Sequence, residues 1–214
     1  MGLKNAGVWR PAWLVALLLA GCQTLDPDWQ REASAAIRGG GLTAVHELFP
    51  GVAKSAAGES GFRLLPDGVG AFVARVWLAR AAGRSLDLQY YMINADDTGR
   101  LLTGEVLAAA DRGVRVRILL DDIYAAPADR AIAILDSHPH IEVRLFNPWT
   151  RRRGPLARAF DFLLDPRRLN HRMHNKLYAA DNHAVIIGGR NIGDEYFDLE
   201  TRMNFRELAV PAVA

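Results

Sequence analysis

The sequence HNKLYAADNHAVIIGGRN occupies residues 174–191. Residues 177–180 and 184–187 are apolar runs, and the dipeptide Asp181-Asn182 between them is typical of a turn, so this stretch predicts a β-hairpin. Side chains two positions apart on a strand share one face, so we expect His174 and Lys176 to point the same way. The hairpin therefore predicts one face that carries an imidazole and an ammonium group.

These residue types suit chemistry at a phosphate. An imidazole can attack phosphorus, and a fixed ammonium group can stabilise the charge that builds on the non-bridging oxygens. Gly188 and Gly189 let the backbone approach an anion closely, and the amide of Asn191 can supply a further hydrogen-bond donor. The stretch therefore predicts an enzyme of the phosphodiesterase type.

The residue types and their spacing resemble the signature His-x-Lys-x4-Asp-x6-Gly-Gly/Ser-x-Asn of the phospholipase D superfamily. The matching positions are His174, Lys176, Asp181, Gly188, Gly189 and Asn191. The continuation GRNIGDEYF at residues 189–197 and the segment SLDLQYY at residues 85–91 look like the bacterial cardiolipin synthase branch, the C type in particular. The resemblance runs from about residue 61 to about residue 210.

The resemblance implies a two-step mechanism that needs neither a metal nor a cofactor. One motif histidine attacks phosphorus and becomes a phosphohistidine, while a facing histidine protonates the leaving alcohol and then activates the acceptor. His174 would take one of these parts. Lys176 and Asn191 would hold the phosphoryl oxygens through charge-assisted bonds.

The resemblance also assigns parts to other residues around the motif. Gly188, Gly189 and Arg190 would contribute to substrate binding. Asp181 would order the turn after the first strand of the hairpin. Glu207, on a strand expected at residues 207–210, would orient the histidine by bonding its other ring nitrogen.

The chain carries one such motif, whereas cardiolipin synthases of this type carry two, in two similar halves that face each other. Of the six histidines, only His174 is followed two positions later by lysine. The resemblance therefore implies that residues 61–214 form a single half of a catalytic domain, the N-terminal half of a longer enzyme. Its partner would be a second motif-bearing half or a second copy in a homodimer.

The first 22 residues have the features of a bacterial lipoprotein leader. Lys4 and Arg10 form a positive region, residues 12–19 form a short apolar region, and residues 19–22 read LAGC, a lipobox. Cys22 is the sole cysteine, so lipidation explains it better than a disulfide. We expect a signal peptide at residues 1–21, a tether at residues 22–60 and a membrane-anchored lipoprotein of the bacterial cell envelope, facing the periplasm. The alternative is an uncleaved apolar N-terminus with an incidental Cys22.

Charge is local in this sequence. Without Lys4 and Arg10 the chain has 24 basic and 24 acidic residues, which gives no global signature of a polyanion-binding protein and makes nucleic acid an unlikely partner. One segment is rich in arginine: Arg151, Arg152, Arg153, Arg158, Arg167, Arg168 and Arg172. Within that segment only Asp161 and Asp165 oppose them. The segment favours contact with anionic phospholipids at a membrane surface; nucleic acid or a merely solvated loop are the alternatives.

The remaining sequence alternates between helical and strand patterns. Apolar positions at helical spacing predict a helix over residues 69–77, with Gly83 past its end, and others over residues 98–112 and 127–135. Alternating apolar positions predict strands around residues 86–90, 114–118 and 141–145. Half of the residues are apolar, which excludes a disordered chain. The pattern predicts an α/β fold, and the resemblance implies the superfamily's mixed β-sheet flanked by helices.

Other candidate sites are weaker. His171, His174 and His183 could suggest zinc, but their spacing matches no common zinc module and no cysteine accompanies them. Asp121-Asp122 at a strand end could bind a cation or substrate, although capping of the next helix is the favoured interpretation. Tyr90 and Tyr91 are expected to pack in the core and the sheet.

Three functions compete on the sequence alone. The first is phosphatidyl transfer of the cardiolipin synthase type, and the second is a nuclease or other phosphodiesterase that works as a homodimer. The third is a truncated lipoprotein without activity. The residues of the motif favour the first.

Overall fold

The computed structural model describes residues 32–37, 41–49, 60–152 and 154–213. Its strands are β1 (Gly61–Phe62), β2 (Ser85–Tyr90), β3 (Arg115–Asp121), β4 (Ile141–Phe146), β5 (Lys176–Ala180), β6 (Ala184–Gly188) and β7 (Ala209–Val213). Its α-helices are α1 (Ala44–Glu47), α2 (Gly68–Ala81), α3 (Asp97–Asp111), α4 (Asp122–Ala125), α5 (Asp129–Asp136), α6 (Pro155–Leu164) and α7 (Pro166–Leu169). Short 3-10 helices cover Ala126–Ala128 and Asp194–Tyr196.

The strands of the described residues form one mixed sheet in the order β1-β7-β6-β5-β2-β3-β4. β2, β3 and β4 are parallel, and helices connect them because a parallel pair needs a crossover connection. β5, β6, β7 and β1 are each antiparallel to their neighbours. The predicted α/β fold with a mixed, helix-flanked sheet is thereby confirmed.

The core lies between this sheet and the helices α2 and α3. Asp67 caps α2 by accepting a hydrogen bond from Gly70 N, and Asp96 caps α3 by accepting one from Gly99 N, so each helix begins directly after a capping aspartate. The central strand β2 buries Leu86, Leu88 and Tyr90, the alternate positions that the sequence predicts for its inner face. Packing of these apolar faces fixes the sheet on which the motif residues stand.

The structure departs from the sequence prediction in two places. Residues 41–49, part of the expected tether, contain the helix α1, whose Val45 is 0% exposed and packs in the core. The strand expected at residues 207–210 begins only at Ala209, so Glu207 lies just before it. Both differences arise from long-range packing, because α1 and β7 are held by parts of the chain distant in sequence.

The described residues divide into two compact units. Residues 33–148 and 171–213 form the sheet domain, and residues 149–170 belong to the other unit. The sequence predicts one domain over residues 61–214. Within that range, residues 149–170 cluster separately, and they include every arginine of the arginine-rich segment except Arg172. None of the helices in the described ranges is both long enough and apolar enough to cross a bilayer. The leader and Cys22 lie outside the described residues.

Candidate active site

The topology brings the ends of four strands together at one end of the sheet. β5 runs antiparallel to β2, so Lys176 at its start pairs with Tyr90 at the end of β2. β7 runs antiparallel to β6, so Ala209 at its start pairs with Gly188 at the end of β6. The motif residues before β5 and after β6, and Glu207 before β7, therefore converge although they are far apart in sequence.

His174 stands exposed at this end of the sheet, two residues before β5. Its ring packs against the ring of Tyr91 with 4.9 Å between the centroids, and its backbone carbonyl accepts a hydrogen bond of 3.0 Å from Lys176 Nζ. The strand begins at Lys176, so His174 is not itself a strand residue. The two motif side chains nevertheless meet on Tyr91.

Asp121 fixes the backbone just before His174, a role that the sequence did not predict. Its carboxylate is 1% exposed and accepts hydrogen bonds from Met173 N at 2.8 Å and from Arg172 Nη1 at 3.2 Å. The same carboxylate caps α4 through Ile123 N at 2.9 Å, as the favoured capping interpretation of Asp121-Asp122 predicts. Asp121 is therefore a positioning residue for the segment that presents His174.

Lys176 is almost enclosed, with 6% of its surface exposed. Its ammonium lies 5.2 Å from the centroid of the Tyr91 ring, within the range of a cation–π contact. Burial lowers the pKa of Lys176, and the negative charge of Glu207 partly offsets that effect. The site therefore holds a cation with few water contacts, which favours binding of an anion.

Asp181 lies in the turn between β5 and β6 with a positive φ of 55°. Its carboxylate is 7% exposed and accepts hydrogen bonds from three consecutive backbone amides, Gly83 at 3.0 Å, Arg84 at 2.8 Å and Ser85 at 2.9 Å. Burial acts to raise the pKa of Asp181, but these hydrogen bonds prevail and hold it below the usual value. Asp181 therefore ties the hairpin to the start of β2, at the opposite end of the strands from His174.

The glycine pair stands at the end of β6, where Gly188 is the last strand residue, and lies against the chain that enters β7. A Cβ at Gly188 would stand 2.3 Å from the carbonyl oxygen of Leu208, so only glycine fits without moving backbone. A Cβ at Gly189 would stand 1.9 Å from Glu207 Oε2, which shows that the carboxylate of Glu207 lies over Gly189. In the described part of the chain, the contacts of Glu207 thus lead to Gly189 and to the charge of Lys176 rather than to the ring of His174, where the resemblance places them.

Arg190 is enclosed rather than presented to a substrate. It is 2% exposed, and its guanidinium donates to the carbonyls of Leu65 at 3.3 Å, Pro66 at 3.0 Å and Tyr196 at 3.2 Å. Burial lowers the pKa of Arg190. This placement departs from the expectation that Arg190 binds substrate, because its donors already serve the backbone on both sides of the motif.

Asn191 is buried beside Tyr196. Its Nδ2 donates a 3.0 Å hydrogen bond to the hydroxyl of Tyr196, and its Oδ1 has no partner among the described residues. The chain after it is tied to the segment that follows β2, because the carbonyl of Ile192 accepts a hydrogen bond from Asn94 N at 2.9 Å. The backbone of Asn191 is therefore held in place, while only the Nδ2 end of its side-chain amide forms a hydrogen bond among the described residues.

Among the described residues, His171, His174 and His183 do not come together as a zinc site. Within the described ranges there is no group of three or more His, Cys, Asp or Glu that could hold a metal ion. His183 stacks instead on His46 with 3.6 Å between the ring centroids. Of the two tyrosines expected in the core, Tyr90 is fully buried, whereas Tyr91 lines the site.

Two arginines of residues 149–170 form ion pairs within that segment. Arg151 pairs with Asp161 at 2.5 Å, and Arg168 pairs with Asp165 at 3.0 Å. Five large apolar side chains of α6 are exposed: Leu156, Phe160, Phe162, Leu163 and Leu164. The unit thus combines basic side chains with an exposed apolar helix.

Comparison with known proteins identifies relatives of this chain. A family model described as "Cardiolipin synthase, PLD-like domain" matches residues 78–207. Cardiolipin synthase C of Escherichia coli K12 is 47% identical over 156 residues, which are 73% of this chain and 32% of that protein. The chain spans about a third of the length of the curated relatives it matches.

Solved structures share the fold. NucT from Helicobacter pylori aligns with a TM-score of 0.51 at 19% identity, over 72% of this chain and 85% of that chain. Phosphatidylserine synthase of Haemophilus influenzae also aligns with a TM-score of 0.51, at 14% identity, over 71% of this chain and 32% of that one. At these identities the likeness concerns the fold alone.

Proposed function

This chain belongs to the phospholipase D superfamily, in its cardiolipin synthase branch, and on that premise we propose that it provides one half of a phosphatidyltransferase site that acts through a phosphohistidine. The observation that carries the proposal is the meeting of His174 and Lys176 on Tyr91. That arrangement sets an exposed nucleophile beside a partly desolvated cation.

The proposed reaction begins at the phosphodiester of a phospholipid. A ring nitrogen of His174 attacks phosphorus, a P–N bond forms, and the P–O bond to the leaving alcohol breaks. The leaving oxygen takes a proton from a second histidine, which then removes the proton of the acceptor hydroxyl as that oxygen displaces His174. Lys176 stabilises the charge on the non-bridging oxygens.

Asn191 can assist without losing its present bond. A tyrosine hydroxyl both donates and accepts, so Tyr196 can donate to Oδ1 when the amide of Asn191 turns over. The turned amide would then present its NH2 group on the side where Oδ1 now lacks a partner. Glu207, whose carboxylate lies over Gly189, would support the charge of Lys176.

The test uses labelled phosphatidylglycerol and the chain both with and without a second motif-bearing half. Formation of cardiolipin supports the proposal. His174→Ala should abolish turnover, Lys176→Ala should cost about 3 kcal/mol of transition-state stabilisation, and chelators should have no effect. His140→Ala, a histidine on the surface away from the motif, is the matched control. Cleavage of nucleic acid without lipid turnover would identify a nuclease instead.

We further propose anionic phospholipids at a membrane surface as the partner of residues 151–172. Each arginine near an anionic surface contributes about 1 kcal/mol, so Arg152→Gln with Arg167→Gln should weaken vesicle binding by roughly 30-fold at low salt. The matched control changes Arg63 and Arg202, two exposed arginines elsewhere, to glutamine. Equal binding to neutral and anionic vesicles contradicts this proposal.

Lipidation of Cys22 stays a prediction that rests on the leader. Anchoring by two or more acyl chains would place the domain in the cell envelope, where its proposed substrate lies. Mass spectrometry of the membrane fraction tests it: we expect cleavage before a diacylglyceryl-modified Cys22. An intact N-terminus would contradict it.

A further inference from the structure

An apolar cavity of about 300 Å³ lies at the carboxyl ends of β2 and β3, next to the candidate active site. Its walls come from the parallel strands, from α3 and from α5, and include Leu102, Val106, Ile118, Leu120, Ile132 and Leu135. The motif chemistry described above does not use it.

The charged residues on its wall are already engaged. Asp121 accepts hydrogen bonds from Ile123 N, Met173 N and Arg172. Arg100 pairs with Asp97 at 2.6 Å and also donates to the carbonyl of Ala95. The interior is therefore suited to an apolar ligand, because apolar cavities of this kind hold apolar molecules in preference to water.

The cavity and the motif share Tyr91. This residue lines the cavity, and its ring also contacts His174 at 4.9 Å and the ammonium of Lys176 at 5.2 Å. Tyr124, another wall residue, packs edge-on against Tyr91 with 5.2 Å between the centroids. One aromatic ring thus contacts both the motif side chains and the apolar cavity.

We propose that this cavity binds one acyl chain of the phospholipid whose phosphate lies at His174 and Lys176. The proposal rests on the proposed function and names the part of the substrate that the motif does not hold. A methylene group occupies about the volume of a water molecule, so the cavity accommodates roughly ten methylenes. An inserted chain would orient the phosphodiester before attack.

Chain length provides the first test. The full chain is titrated with a dansyl-labelled fatty acid, and straight-chain carboxylates from butanoate to palmitate compete with it. We expect affinity to rise by about fourfold per methylene and to level off near decanoate, where the cavity is full. A rise that continues unchanged to palmitate, or no displacement at all, overturns the proposal.

Two substitutions on α5 provide the matched pair. Ala131 lines the cavity and is exposed at its rim, whereas Ala133 is exposed on the same helix and does not line it. Ala131→Trp should weaken carboxylate binding by at least tenfold, and Ala133→Trp should change it less than about twofold. Equal effects of the two substitutions overturn the proposal.

A further measurement keeps the proposal testable if Ala131→Trp does not fold. A phosphatidylglycerol with a diazirine on its acyl chain is photolysed with the unaltered chain, and the labelled peptides are sequenced. Label on α3 and α5 supports the proposal, and label confined to residues 149–170 overturns it. These binding measurements need no turnover, so a failure of the proposed transfer reaction is recognised separately, by absence of product while acyl binding persists.

Discussion

At the scale of single residues, the site depends on a lysine whose charge is opposed by burial and supported by a carboxylate. Lys176 loses hydration, which lowers its pKa, while Glu207 acts to raise that pKa. In the proposed function, binding of a phosphate needs the ammonium form of Lys176. The pH range over which the site binds anions is therefore set by the balance between these two effects.

Glu207→Gln should move the alkaline limb of anion binding to lower pH. The substitution removes the negative charge that supports Lys176, so its pKa falls further and the ammonium deprotonates earlier as pH rises. Binding of inorganic phosphate measured against pH checks this without requiring turnover. Glu200→Gln, at an exposed carboxylate, is the control, and an unchanged alkaline limb in Glu207→Gln would contradict the assignment.

Asp181 is expected to act on stability, because its carboxylate holds three backbone amides. Its folded-state pKa is lowered, so it stabilises the fold at pH values above the pKa of the unfolded chain, about 4, and that contribution is lost as pH falls through the lower folded value. Asp181→Asn should lower the free energy of unfolding by about 2 kcal/mol at neutral pH. The deficit should shrink on acidification.

Denaturant unfolding at several pH values checks this prediction. Asp97→Asn serves as the control, since its carboxylate is 75% exposed and pairs only at the surface. A deficit in Asp181→Asn that is the same at pH values above and below about 4 would be inconsistent with the anion holding three amides.

At the scale of elements, the local sequence pattern predicted the secondary structure that depends on neighbouring residues. The hairpin β5–β6 followed from two apolar runs and the dipeptide Asp181-Asn182, and β2, β3 and β4 followed from alternation. Contacts between distant segments gave no such signal. Asp121 binds Met173 across 52 positions, and nothing in the sequence around Asp121 announces that partner. The sequence likewise predicted that Tyr91 packs in the core and the sheet. Its place beside His174 could not be predicted, because it depends on the pairing of β2 with β5.

The end of β6 offers a comparison between two adjacent glycines. At Gly188 a methyl group would meet backbone atoms of Leu208 and Ala209, which cannot move without breaking the β6–β7 pairing. At Gly189 it would meet the side chain of Glu207, which can rotate away. Gly188→Ala should therefore cost about 2 kcal/mol of stability, and Gly189→Ala clearly less.

Gly189→Ala should instead change the pH dependence of anion binding at the site. Displacing the carboxylate of Glu207 withdraws its charge from Lys176, so this variant should reproduce the alkaline shift of Glu207→Gln. Thermal unfolding and phosphate binding against pH measure the two effects. Gly104→Ala is the control: no atom lies within 4 Å of the added methyl group, and alanine in the interior of α3 should stabilise by about 1 kcal/mol. A larger stability loss at Gly189 than at Gly188 would refute the argument.

At the scale of the whole molecule, the described residues contain one motif histidine at the reacting end of one sheet. His174 cannot readily act as nucleophile and, in the same step, as the acid that protonates the leaving alcohol. In the proposed reaction the second histidine comes from a second motif-bearing half or from another copy of this chain. Activity should accordingly depend on assembly. A mixture of active and inactive chains distinguishes a homodimer from a pairing with a second half.

If two copies form one site, dilution of the chain with His174→Ala should reduce turnover faster than in proportion. When the two are mixed equally and allowed to exchange, only pairs of unaltered chains hold both histidines, and these are about a quarter of all pairs. Turnover per total protein should then fall to about a quarter. Dilution with His140→Ala, an exposed histidine away from the site, should leave turnover unchanged.

If a separate second half supplies the other histidine, turnover should require that half and fall only to about a half, because each unaltered chain then works independently. Turnover by a strictly monomeric chain in the absence of any second half would refute the requirement for assembly, and turnover that survives His174→Ala would refute the catalytic assignment itself.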